Sequence, residues 1–206
     1  MPNKASKIAY KILSVILPSK KLRRKMRQLG ELDKNPNFHK LKHCGTGSVI
    51  RKDAKLYEPQ NISVGDNCYI GSYNTIYATG NVDIGNNCAL AEHVTIITLN
   101  HNYQSDTMVP FDNYSIAQDV FIGDNVWIGM KSIILAGCRI EEGAIVAAGS
   151  VVCKSVPSCA IVGGNPAKII GWRDKEKYKE IIKNNPYKET MDWKLIHKEG
   201  YKDYLK

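Results

Sequence analysis

The sequence predicts an all-β protein: a parallel β-helix of six-residue repeats, with one protruding loop and a helical segment at each end. Three observations carry this. From Ile116 onward an aliphatic residue recurs at every sixth position, through Ile122, Ile128, Ile134, Ile140, Val146 and Val152. Four positions on from such residues the side chains are small, as at Cys68, Cys88, Val94, Val120, Val126, Ser132, Cys138, Ala144 and Ser150. One stretch, from about Thr98 to Ser115, abandons the period altogether.

The chain begins with a basic segment, residues 1–45. Within it Ile8, Ile12 and Ile16 recur at helical spacing, flanked by Leu13 and Leu17, until Pro18; "SKKLRRKMRQLG" then adds positive charge up to Gly30. Residues 46–171 carry the repeat. Its earlier blocks run Ile50, Leu56, Ile62, then Val64, Ile70, Ile76, Val82, then Ile84, Leu90, Ile96, each separated from the next by a slip of two residues. A period of six is neither helix nor ordinary strand. It describes a coil with three flat faces, in which each aliphatic points inward and stacks on its counterpart one coil away. The small residues fit where the interior narrows at a corner. Asp66-Asn67, Asn86-Asn87 and Asp124-Asn125 occupy corners, where Asn and Asp tolerate the backbone angles and bond locally. Cys68, Cys88 and Cys138 fall in the small inward slot and read as core fillers. Residues 172–206 are charged and of helical composition, interrupted at Asn185-Pro186.

Composition narrows the function. The net charge is +9, but between Tyr57 and Gly171 four basic residues face ten acidic ones, so the excess sits in the two ends. A nucleic-acid groove would carry its cations on the folded core, which argues against a nucleic-acid partner. The six cysteines show no CxxC pair, and the histidines lack ligand spacing, so no metal site is expected. No apolar run approaches the ~18 residues of a spanning helix, and a cytoplasmic protein with free thiols is expected.

The block "DNVWIGMKSIILAGCRIEEGAIVAAGSVVCKSVPSCAIVGGNPAKIIGWR", residues 124–173, resembles the last coils of the hexapeptide-repeat acyltransferases. Within these the chain is similar to the galactoside, maltose and xenobiotic acetyltransferase branch and to surface-polysaccharide O-acetyltransferases, from about Ile50 to Arg173. The resemblance implies a left-handed β-helix, a homotrimer with active sites between subunits, and transfer of an acetyl group from acetyl-CoA without a metal.

On the same resemblance the protruding loop carries the catalytic histidine, here His101. Neutral imidazole titrates near working pH and suits the removal of a hydroxyl proton as the thioester is attacked. The backbone amide of Met130 matches an oxyanion donor. Ala148, Lys154, Lys168 and Arg173 match positions that hold the pantetheine arm and phosphates of CoA. Trp127 joins them as a CoA-binding candidate, which either lines the cleft or packs outward between coils. Tyr69 matches an acceptor-pocket position. Gly71 stands where galactoside-type relatives carry asparagine, which argues against a galactoside acceptor.

The function expected is therefore acetyl-CoA-dependent O-acetylation of a saccharide, in surface polysaccharide synthesis. Two alternatives stand beside it: N-acetylation of a nucleotide-linked amino sugar, and a non-catalytic β-helix scaffold. The basic N-terminal segment either docks peripherally on an anionic membrane face or caps the open end of the β-helix.

Overall fold

In the computed structural model, residues 35–184 are described. The basic helix expected in residues 1–30, and the chain beyond residue 184, lie outside them. Short strands stack in three parallel sheets, which form the three faces of a solenoid. Face I stacks His43–Cys44, Ile62–Val64, Val82–Ile84, Val120–Ile122 and Arg139–Ile140. Face II stacks Val49–Ile50, Tyr69–Ile70, Ala89–Leu90, Trp127–Ile128, Ile145–Val146 and Ala160–Gly163. Face III stacks Lys55–Tyr57, Thr75–Tyr77, Thr95–Ile97, Ile133–Ile134 and Val151–Val152. The solenoid thus begins at His43, inside the segment first assigned to the N-terminal part.

The six-residue period sets this architecture because each face accepts one inward aliphatic per coil. Ile70, Ile76, Leu90, Ile96, Ile122, Ile128, Ile134 and Ile140 are all at most 1% exposed. Ile50, Ile70 and Leu90 pair in register along face II, as do Ile128 and Val146. The early coils advance by twenty residues, the later ones by eighteen and the last by sixteen; the twenty-residue coils explain the two-residue slips. In the early coils the face I strands hold two inward residues around one outward residue, as at Ile62 and Val64 or Val82 and Ile84. One aliphatic counted in the repeat departs from it. Ile116 is 44% exposed and belongs to the return strand of the protruding loop, so the regular coils resume at Val120.

At the corner between faces I and II, Asn67, Asn87 and Asn125 adopt φ of 54°, 55° and 60°, the left-handed conformation that asparagine tolerates. Their neighbours lace the coils together. Asp66 Oδ1 accepts the Thr46 N–H at 2.6 Å, Asn86 Oδ1 the Asp66 N–H at 2.9 Å, and Asp124 Oδ1 the Asn86 N–H at 2.7 Å. The inward cysteines also bridge coils: Cys68 Sγ donates to the Gly85 carbonyl and Cys88 Sγ to that of Gly123, each at 3.0 Å.

The C-terminal end is closed by Lys168–Trp172, which runs antiparallel beside Ala160–Gly163. A helix follows at Lys175–Asn184, capped by Asp174 Oδ1, which accepts the N–H groups of Glu176 and Lys177. Its Tyr178 docks on the I/II corner, where the hydroxyl donates to Glu142 Oε1 at 2.8 Å and accepts from Asn125 Nδ2 at 3.1 Å.

Candidate active site

The loop that breaks the repeat is an antiparallel ribbon. Leu99–His101 pairs with Ser115–Ala117, with His101 opposite Ser115. The ribbon leaves the solenoid at the corner between faces III and I. Its neck is held by Thr98, which is fully buried. Thr98 Oγ1 donates to the Tyr77 carbonyl at 2.8 Å and accepts the Gly80 N–H at 2.9 Å, while the Thr98 carbonyl accepts the Gln118 N–H at 2.8 Å. Both ends of the ribbon are thereby fixed to the coil beneath.

Beyond His101 the tip is braced across itself. Asn102 Nδ2 donates to Asp112 Oδ2 at 2.7 Å, and the Tyr114 N–H donates to Asp112 Oδ1 at 2.8 Å. The Tyr114 amide holds the Asp112 carboxyl below its usual pKa, so the brace keeps its charge in neutral solution. The His101 imidazole is exposed and stacks on Phe111, with ring centroids 3.9 Å apart and planes 11° from parallel. Among the described residues neither imidazole nitrogen has a hydrogen-bond partner. Both stay open to a substrate, while Phe111 fixes the plane of the ring.

At the opposite edge of face III lies the corner between faces II and III, and Met130 and Ala148 share it on adjacent coils. The Met130 carbonyl accepts the Gly149 N–H at 2.8 Å, and its own N–H finds no acceptor among the described residues. Here the coils touch closely: a Cβ at Gly129 would stand 2.5 Å from the Ala148 nitrogen. Gly149, at φ +72°, has nothing within 4 Å of where a Cβ would stand. This corner therefore offers a thin, open backbone surface, the shape a pantetheine arm requires.

Lys168 lies at the end coil above this corner, opposite Gly163, with the neighbouring Ala167 N–H donating to the Val151 carbonyl at 2.8 Å. Lys154 is exposed at the III/I corner, two coils on from the ribbon. Arg173 lies elsewhere. Its Nε donates to the Gly143 carbonyl at 2.6 Å, so the side chain braces the I/II corner. Trp127 packs outward on face II and is 51% exposed; Tyr69 lies in the same outward column with Ala89 between them. That column, from Val49 to Ile161, is apolar, whereas the outward column of face I runs His43, Ser63, Asp83, Phe121 and Arg139, polar at every position but Phe121.

Thr98, Phe111 and Asp112 escape a sequence reading because their partners lie across the ribbon or one coil away. The only early signal was the break in periodicity itself. Among the described residues no group of three His, Cys, Asp or Glu side chains is placed to hold a metal ion, and no helix is long and apolar enough to cross a membrane.

Two repeat families match the chain. Residues 119–154 fit the bacterial transferase hexapeptide (six repeats), and residues 61–94 the hexapeptide repeat of succinyl-transferase. YvoF of Bacillus subtilis (strain 168), provisionally named an acetyltransferase, is 38% identical over 127 residues, covering 62% of this chain and 56% of its own. The chain thus spans little more than half the length of that relative. A maltose O-acetyltransferase from Clostridium difficile 630 superposes with a TM-score of 0.60 at 26% identity, over 75% of this chain and 86% of that one. The hexapeptide-repeat acetyltransferase VCA0836 from Vibrio cholerae O1 biovar eltor, solved with acetyl coenzyme A, gives 0.57 at 25% identity, over 64% and 71%. The chain is thus a hexapeptide-repeat protein, similar in sequence and fold to the acetyltransferases built on that repeat.

Proposed function

We propose that the chain is an acetyl-CoA-dependent O-acetyltransferase whose acceptor is a saccharide hydroxyl and whose general base is His101. The observation that carries this reading is the ribbon: the one interruption of the repeat holds a histidine out from the solenoid, planar on Phe111, with both ring nitrogens unengaged. A general base needs that freedom and that fixed orientation.

Acetyl-CoA as donor is supported by the acetyl coenzyme A bound in the Vibrio enzyme and by the narrow corner at Met130, Ala148 and Gly149. Lys154 and Lys168 supply cations for its phosphates, and Arg173 contributes only through its uncommitted terminal nitrogens. His101 takes the hydroxyl proton as the acceptor oxygen attacks the thioester carbonyl. The Met130 N–H faces the oxyanion, and His101 returns the proton to the departing thiolate. Tyr69 lines the acceptor side, and Trp127 stands with the CoA-binding residues.

Within one chain the ribbon and Met130 stand at opposite edges of face III, roughly 15 Å apart at about 3.3 Å per strand residue. A homotrimer, in which the ribbon of one copy meets the II/III corner of its neighbour, completes the site. The apolar outward column of face II supports such packing. A role in surface polysaccharide synthesis at the cytoplasmic side of a membrane, with the basic N-terminal segment as the peripheral contact, belongs to the same reading.

The test is calorimetric titration with acetyl-CoA and CoA, then thiol release with a panel of sugars and amino sugars. An alkali-labile product identifies an ester and a stable one an amide, which would turn the assignment to N-acetylation. Folded protein that binds neither ligand at millimolar concentration overturns the reading in favour of a scaffold.

A further inference from the structure

Two corners of the solenoid use the same left-handed backbone and fill it with different residues. At the I/II corner the positive-φ positions are Gly47, Asn67, Asn87, Asn125 and Gly143, with Cys159 on the final coil. Glycine and asparagine are the types that enter this region at least cost. At the II/III corner the equivalent positions are Tyr73 at 61°, His93 at 59° and Lys131 at 59°, and only Gly149 conforms. A bulky side chain in this conformation crowds Cβ against the following carbonyl, and such outliers mark functional positions.

Core packing does not account for the choice. Tyr73 is 57% exposed and His93 is exposed as well. Their rings stack on each other, centroids 5.0 Å apart and planes 21° from parallel, on the outside of the corner.

We propose that Tyr73 and His93 are specificity residues that take the apolar face of a saccharide ring, an inference that rests on the acyltransferase reading above. Position favours it. The His93 N–H donates to the Ser72 carbonyl at 3.1 Å and the Lys131 N–H to the Glu92 carbonyl at 3.0 Å, so the stacked pair occupies the two coils directly before Met130. With coils about 4.8 Å apart, the aromatic surface ends roughly one sugar ring short of the Met130 amide. Charge favours it too. Glu92 and Lys131 flank the rings with opposite signs, offering an acceptor and a donor for hydroxyls without a net charge. A phosphorylated ligand would call for a surplus of cations there. Tyr69, on the strand leading into the same corner, extends the surface.

The test is the Tyr73→Asn/His93→Asn double variant of the full chain, because asparagine accepts the left-handed backbone. Three quantities are read beside wild type: Tm, CoA affinity by calorimetry, and binding of maltose and N-acetylglucosamine by ligand-observed NMR. KM is measured for whichever sugar is acetylated. The expected result is a Tm equal to or above wild type, CoA affinity within about twofold, and saccharide affinity weakened about tenfold, the size of a lost aromatic contact. Tyr73→Phe should keep saccharide binding near wild type. Unchanged saccharide binding in the double variant overturns the inference and leaves the acyltransferase reading standing. A fall of several degrees in Tm, which would make the stack a structural device, does the same, as does a wild type that binds CoA but neither sugar. Wild-type protein without CoA affinity overturns both.

Discussion

The imidazole of His101 lies flat against the ring of Phe111, 3.9 Å between centroids, across the ribbon in which His101 pairs with Ser115. The stack sets the plane of the base while leaving its nitrogens free. Two variants separate these roles. His101→Ala should lower turnover by about 10²–10⁴-fold, the usual contribution of a positioned base, with CoA affinity unchanged. Phe111→Ala keeps the base but frees its ring, and should lower kcat by roughly tenfold through lost orientation. Calorimetry and initial rates on the two variants check both; equal losses would mean that Phe111 touches the substrate itself.

Thr98→Val is nearly isosteric but deletes the hydroxyl that joins Tyr77 O to Gly80 N–H. The Tyr77 carbonyl keeps the Thr98 N–H at 3.1 Å, so the group left without a partner is the Gly80 N–H. That should cost about 1–3 kcal/mol, a fall of roughly 3–10 °C in a thermal melt for a chain of this length.

Ile116 and Ile128 occupy the same phase of the six-residue period, but only Ile128 is in the core. Ile128→Ala should cost about 2–5 kcal/mol as a cavity opens, whereas Ile116→Ala on the exposed ribbon should stay within about 0.5 kcal/mol. Urea denaturation of the pair measures the difference directly. Similar losses would return Ile116 to the repeat.

That pair also marks how far a sequence can be read. Periodicity identifies the solenoid because each inward position repeats the same demand for a buried aliphatic, coil after coil. It locates the ribbon because the demand lapses there. It cannot place Ile116, whose phase agrees by coincidence with the coils that follow. It is equally blind to Thr98, Phe111 and Asp112, whose partners are set by how the ribbon folds back rather than by spacing along the chain. Arg173 illustrates the same limit from the other side. The resemblance implies a phosphate contact for it, but no spacing along the chain announces that its Nε donates to the Gly143 carbonyl on another corner.

Tyr178 ties the terminal helix to the solenoid through Glu142 and Asn125. Burial first, then its bond to the Glu142 carboxylate, pushes the phenol above its ordinary pKa near 10. The folded state therefore holds the proton more tightly than the unfolded state. Its stabilising effect is full below about pH 10 and is lost as pH rises toward the folded value. Urea midpoints at pH 9 and pH 11 should fall with alkali in wild type and fall less in Tyr178→Phe. Parallel losses in the two proteins would assign the alkaline sensitivity to other groups.

Gly149 tests the donor groove without touching the base. Its backbone is left-handed, at φ +72°, and the space beside it is empty. Asparagine adopts that conformation, so Gly149→Asn should fold with a Tm within a few degrees of wild type. Its side chain would nevertheless stand in the thin surface between Ala148 and the end coil, where the proposed pantetheine arm runs. CoA should bind about tenfold more weakly or worse, a loss of about 1.4 kcal/mol, while maltose and N-acetylglucosamine bind as before. If CoA affinity is unchanged in a folded Gly149→Asn protein, the arm does not pass over this corner. The oxyanion role of the Met130 amide, one coil away on the same surface, falls with it.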